Sequence, residues 1–164
     1  MTIKIRRKLF SFPVSYEIKN EETDQAVYKA KGKAFSPTGK VFLRTVDGDK
    51  LILIKHKLFQ IRSKYSVYNM DKELVFTLRN KFSAKKNFEL TDCADALDIR
   101  NTTFGIDWTY SKNGVDIATI HKDLINLTSV FKVTILDEKE TDLVVATVLA
   151  IDRCFSKRDN NSYN

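Results

Sequence analysis

The 164-residue chain carries 28 Lys and Arg against 21 Asp and Glu, a net charge of +7, and is 43% hydrophobic with only five Gly and two Pro. That composition excludes a disordered, collagen-like or low-complexity polypeptide and predicts a single globular domain rich in strand formers. The charge favours anionic partners, phospholipid headgroups or nucleic acid, without choosing between them.

The chain opens on MTIKIRRKLFSF, in which Ile3, Ile5 and Leu9 alternate with Lys4, Arg6 and Lys8. Period-two alternation marks a strand with one dry and one wet face. The stretch RKLFSFPVSYEI, residues 7–18, returns as HKLFQIRSKYSV, residues 56–67, with Lys, Leu, Phe and Tyr at matching places. Anchored on the lysine, the pattern recurs at Lys8, Lys33, Lys57 and Lys81, with spacings of 25, 24 and 24 residues. A repeat of that length is one supersecondary unit.

The second unit sets Ala30, Gly32 and Ala34 against Lys29, Lys31 and Lys33. The third sets Ile52, Ile54 and Leu58 against Lys55 and Lys57, and the fourth Phe76, Leu78 and Phe82 against Arg79 and Lys81. Turn sequences stand at 20–25 (NEETDQ), 36–39 (SPTG), 46–49 (VDGD), 69–73 (NMDKE) and 111–114 (SKNG). Each unit is therefore a β-hairpin. A shortened, divergent copy around DIRNTTFGIDWTY and a weaker one beginning at Asp123 in HKDLINLTSVFKV bring the count to six. About twelve antiparallel strands curl and close into a barrel too wide for its own side chains to fill.

The segment TDLVVATVLAIDRCF, Thr141 to Phe155, is apolar on every side and is expected to plug the lumen as a buried helix. Thr141 or Asp142 would cap it, and the small row Ala30, Gly32, Ala34 would mark its closest approach to the wall. One more buried strand is the alternative, given Val144, Val145 and Val148. Residues 1–156 then form the domain. The polar tail, residues 157–164, would fray, with Lys157 and Arg158 favouring a helix C-terminus.

These segments together resemble the LURP-one-related proteins, of the tubby C-terminal-like superfamily that includes the phospholipid scramblases. The matching features are RRKLFSF, YKAKGKAFSPTGKVFLR, ILIKHKLFQIRSKYSVY, VFTLRNKF, IATIHKDL and LVVATVLAIDRC, in that order along nearly the whole chain. The resemblance implies a twelve-stranded barrel around a central apolar helix. Tubby domains bind phosphoinositides through basic residues near the barrel surface; those residues do not match here position by position, so the resemblance carries the fold. The chain departs from scramblases in having no transmembrane stretch, palmitoylation cluster, Pro-rich tail or acidic calcium loop, so scramblase activity is not carried over.

The pattern basic-any-basic recurs in register as Arg6 and Lys8, Lys31 and Lys33, Lys55 and Lys57, Arg79 and Lys81. Stacked hairpins would raise these side chains into a positive band on the outer wall. The band suits the phosphates of lipid or nucleic acid, or is only the face that strands turn to water. Asp24, Asp47, Asp49, Asp71 and Glu73 in the turns would offset part of the field. Arg7, Gly32, His56, Asn80 and Lys122 hold matching inward positions. They would ring one mouth of the barrel and hold an anion there, or mark where strands leave the core.

No constellation for catalysis, cofactor or metal is expected. His56 and His121 stand in no ligand spacing, Cys93 and Cys154 form no CxxC pair, and there is no phosphate loop or GxSxG elbow. Tyr28, Phe35, Phe59 and Tyr68 fall near outward positions and suit a protein interface. The longest apolar run, residues 143–151, is nine residues against the roughly 20 of a membrane-spanning helix. The two separated cysteines, with no apolar leader, suit a reducing, cytoplasmic setting with peripheral membrane contact as an option. The expectation is a non-enzymatic module for acidic phospholipid headgroups, with a protein-interaction scaffold or nonspecific nucleic-acid binding as alternatives.

Overall fold

The computed structural model describes residues 1–59, 62–81, 88–103, 106–123 and 128–161. Its strands are β1 (Thr2–Arg7), β2 (Ser15–Asn20), β3 (Ala26–Gly32), β4 (Val41–Arg44), β5 (Lys50–His56), β6 (Lys64–Asn69), β7 (Leu74–Asn80), β8 (Phe88–Thr91), β9 (Leu97–Thr103), β10 (Asp107–Lys112), β11 (Val115–Asp123) and β12 (Val130–Ile135). A 3-10 turn, Glu138–Glu140, leads into the helix α1 (Thr141–Asn161).

All twelve strands form one antiparallel sheet in the order β8-β7-β6-β5-β4-β3-β2-β1-β12-β11-β10-β9. Chain neighbours are sheet neighbours except β8 and β9, and the first strand, β1, pairs with the last, β12. The outer strands β8 and β9 lie side by side without a hydrogen-bonded ladder, so the barrel is nearly closed along this one seam.

Alternation decides what faces the lumen. Ile3, Ile5, Ile18, Ala30, Val41, Leu43, Ile54, Val67, Phe76, Leu78, Ile120 and Val133 are all buried, and each belongs to the apolar half of its strand. α1 fills the space they enclose. Its residues Val144 to Asp152 are fully buried, including Thr147, whose hydroxyl donates back to the Leu143 carbonyl at 2.8 Å. The plug is thus a helix, and not a thirteenth strand.

Four local expectations are corrected. The helix entry is capped by neither Thr141 nor Asp142. Asp137 accepts from the Lys139 amide and starts the 3-10 turn, Thr141 donates to the Glu138 carbonyl at 2.6 Å, and Asp142 accepts from the Tyr28 hydroxyl at 2.6 Å. The small row is not where the helix lies closest, since α1 packs most against β5, β6 and β7. Gly32 is small for a different reason: a Cβ there would lie 3.0 Å from Val14 Cγ1, so it makes room for the β1–β2 connection. Leu9 and Leu58 are exposed, because β1 and β5 end at Arg7 and His56 and the chain turns before reaching them. Finally, the backbone stays helical through Asn161, into the stretch expected to fray; the side chains of Lys157 and Arg158 lie outside the described residues.

Candidate anion-binding surface

Antiparallel meandering sends every odd-to-even connection to one end of the barrel and every even-to-odd connection to the other. α1 runs from the second end to the first, and its last turns face the inward row predicted at the mouth. Arg7 Nη1 lies 3.7 Å from Oδ2 of the fully buried Asp152 and donates to the Ser156 hydroxyl. The Tyr16 hydroxyl donates to the same Asp152 oxygen at 2.8 Å. Lys122 Nζ sits 3.7 Å from the centre of the Phe155 ring. His56 packs at 5.1 Å on Tyr65, whose hydroxyl donates to the Arg153 carbonyl at 3.1 Å. Among the described residues, the buried Asn80 Oδ1 has no hydrogen-bond partner. Gly32 turns to the β1–β2 connection. Of this row, Arg7 is the member seen to reach a carboxylate, the protein's own Asp152.

The predicted band on the outer wall is uneven. At β7–β8, Arg79 bonds Glu89, with Lys81 at 4.0 Å from the same carboxylate, and the Arg79 contact holds the Glu89 carboxyl below its usual range. Lys57 stands near Asp92, whose carboxyl is lowered first by a hydrogen bond from Thr77. At β1–β2, Arg6 is in register with Glu17, which also receives Lys19 at 3.3 Å. Lys8, just beyond β1, is exposed. Lys55 lies over the Tyr68 ring at 5.1 Å.

Away from the neutralised Arg79–Glu89 sector, β3, β4 and β5 carry a different surface. Val41 and Leu43 point into the core, so Phe42 and Arg44 must point out. Lys31 is in register with Phe42, and Lys29 with Arg44. A bulge between Leu43 and Arg44 then brings Lys50 opposite Arg44. The Phe42 ring has Arg44 Cζ at 5.5 Å and Lys50 Nζ at 5.0 Å from its centre. Lys31, Gly32, Lys33, Phe42, Arg44 and Lys50 line a cleft of about 380 Å³. Among the described residues, none of these four cations forms an ion pair with a carboxylate. Of the eight side chains in the predicted band, the structure brings Lys31 and Lys33 into this cleft. It adds Arg44, which lies on the opposite arm from Lys31 and Lys33, and Lys50, which opens the arm carrying Lys55 and Lys57 but stands outside the basic-any-basic pair. The signal for Arg44 was the alternation in VFLR.

Elsewhere, His121 Nδ1 meets Asp107 Oδ1 at 2.6 Å on the outer wall, far in character from His56 inside. Cys154 is buried on α1 and Cys93 half-buried, both as free thiols. Among the described residues there is no group of His, Cys, Asp and Glu able to hold a metal, and no helix long and apolar enough to cross a membrane.

A LURP-one-related family model matches residues 1–152. A crystal structure of a protein from Arabidopsis thaliana has the same fold, with a TM-score of 0.57 at 11% identity over 92% of this chain and 91% of that one. No curated protein sequence matches the chain.

Proposed function

The chain belongs to the LURP-one-related family, and on that premise we propose that it is a non-catalytic binding module whose β3–β5 face takes the headgroups of acidic phospholipids. The observation carrying this reading is the cleft in which Lys31, Lys33, Arg44 and Lys50 surround Phe42 without a carboxylate to neutralise them. Unpaired cations gathered on one wall keep their field available to a ligand, whereas Arg79 spends its own on Glu89. Near an anionic bilayer each such cation contributes about 1 kcal/mol, falling off within a Debye length. Arg44, held by the Gly48 carbonyl at 3.0 Å, is oriented in advance. The reading places the protein at the cytoplasmic face of a membrane, where acidic lipids are concentrated.

Co-sedimentation with neutral vesicles and with vesicles holding about a third acidic lipid, at low and high salt, tests it. Pelleting with acidic vesicles alone, weakened by salt, is the expected result. Equal pelleting with both vesicle types, or with neither, rejects the headgroup reading. A gel shift of DNA or RNA at the same salt, with no vesicle binding, would assign the surface to nucleic acid instead. Retention of a protein partner that ignores salt would leave a scaffold role.

A further inference from the structure

Three connections at the end where α1 finishes carry the same irregularity. Phe10, Phe35 and Phe59 all have positive φ, at 54°, 54° and 58°. Their side chains are 100%, 90% and 100% exposed. Each is the third residue of a repeat unit's turn, in Lys8-Leu9-Phe10, Lys33-Ala34-Phe35 and Lys57-Leu58-Phe59. Turns of this kind normally place Gly or Asn at the left-handed position, because a Cβ there is crowded. A bulky aromatic in that conformation, three times over and directed at solvent, is unfavourable for both backbone and side chain. Folding alone gives no reason for it. Phe12, 76% exposed, stands beside Phe35 with ring centres 5.6 Å apart and adds to the same apolar crown.

The charges around these tips say what covers them. Among the described residues, the odd-to-even connections hold six Lys and Arg (Lys8, Lys33, Lys40, Lys57, Arg62 and Lys81) and no Asp or Glu. Four of the connections at the other end (21–25, 45–49, 70–73 and 136–140) hold ten carboxylates against Lys72 and Lys139. The molecule is polarised along its barrel axis. A field of that shape turns the phenylalanine end toward a negative surface before contact.

We propose that Phe10, Phe35 and Phe59 insert into the interfacial layer of an acidic bilayer. Lys8, Lys33 and Lys57, each two residues before a tip, would meet phosphates at headgroup depth. The inference rests on the headgroup reading above and deepens it, since Lys33 belongs to both the cleft and the crown. Aromatic rings at this depth with cations just behind them combine apolar burial with attraction to anionic lipid, the two terms that set peripheral binding strength.

The test replaces each tip by tryptophan, as Phe10→Trp, Phe35→Trp and Phe59→Trp, in the full chain. The native Trp108 is 1% exposed and serves as an unchanging background. With phosphatidylserine-containing vesicles whose acyl chains are brominated near the headgroup, each new tryptophan should shift to the blue and be quenched. Replacing all three tips by serine should weaken vesicle affinity by about tenfold per tip and leave the melting temperature no lower. The triple Phe→Leu variant should recover most of that affinity. If the wild type pellets with acidic vesicles but no introduced tryptophan is quenched, insertion is wrong and the headgroup reading stands. If nothing pellets, both are wrong. If the tryptophans shift with rising protein concentration and no vesicles, a second copy covers the tips and insertion is overturned.

Discussion

The Tyr16 hydroxyl donates a 2.8 Å hydrogen bond to Oδ2 of Asp152, a carboxylate fully buried on α1. Strand and plug are 136 residues apart in sequence, and this bond fixes how far the helix slides and turns inside the barrel. Hydrophobic contact is not directional, so the register of the plug rests on such bonds, this one together with Tyr28 to Asp142 and Tyr65 to the Arg153 carbonyl. Arg7, on the neighbouring strand, approaches the same oxygen from the rim at 3.7 Å.

Tyr16→Phe should therefore destabilise the fold out of proportion to one lost oxygen. It leaves a buried carboxylate oxygen with only a long contact to Arg7, and stranding such an acceptor costs about 2 kcal/mol. A melting temperature lower by about 4–8 °C is expected for a chain of this size. A shift under 1 °C by calorimetry would mean that Asp152 is satisfied without Tyr16.

Alkali should unfold the protein earlier than net charge alone would. Tyr16, Tyr28, Tyr65 and Tyr110 all have ionisation pushed well above the ordinary tyrosine range, first by burial and, for Tyr16 and Tyr28, also by the carboxylates of Asp152 and Asp142. A raised folded-state pKa favours the protonated form. The stability it confers is thus complete below the unfolded tyrosine value, about 10, and declines as pH rises beyond it. Urea midpoints should show no tyrosine-linked loss between pH 8 and about 9.5 and fall steeply above 10.5. Absorbance at 295 nm should report tyrosinate appearing together with unfolding. Tyrosinate appearing first, in folded protein, would contradict the buried bonds.

The architecture was legible because two periods coexist in the chain. Alternation in segments such as Ile52 to Lys57 gave strands, the lysine-anchored repeat gave their pairing into hairpins, and the unbroken apolar run at residues 143–151 gave the plug. The candidate anion surface was only partly legible. Repeat register marked Lys31 and Lys33 but gave Arg79 the same weight, and nothing local says that Glu89 lies across from Arg79 in the next strand. Cross-strand neutralisation depends on the register of two separate segments. The bulge that carries Lys50 to Arg44 depends on it too. Phe10 was invisible for another reason: its αL turn belongs to the tertiary course of the chain, and KLF reads as strand.

Vesicle binding should separate paired from unpaired cations. Lys31→Ala with Lys33→Ala removes two unneutralised charges from the cleft, about 2 kcal/mol or roughly thirtyfold in affinity for acidic vesicles. Arg79→Ala removes a charge already bound to Glu89 and should weaken binding by less than about twofold. The double variant should keep the wild-type melting temperature within about 1 °C, because both side chains are exposed on the outer wall. Equal losses for the two variants would mean that only net charge is sensed.

The three exposed phenylalanines should prove to be a liability for the isolated protein. A non-glycine residue in the left-handed region is unfavourable by about 1 kcal/mol, and asparagine tolerates that region better than an aromatic. Phe10→Asn, Phe35→Asn and Phe59→Asn should each raise stability by about 0.5 kcal/mol, and together lift the melting temperature by several degrees. The gain comes from backbone conformation, because Phe10 and Phe59 are fully exposed and little packing is lost. Phe35, which touches Phe12, should gain least of the three. A stabilised triple variant that no longer binds acidic vesicles would show that the chain keeps strained aromatic tips for what they contact outside the protein. If the triple variant melts lower than wild type, the rings are held by contacts within the protein, and their strain has a structural cause.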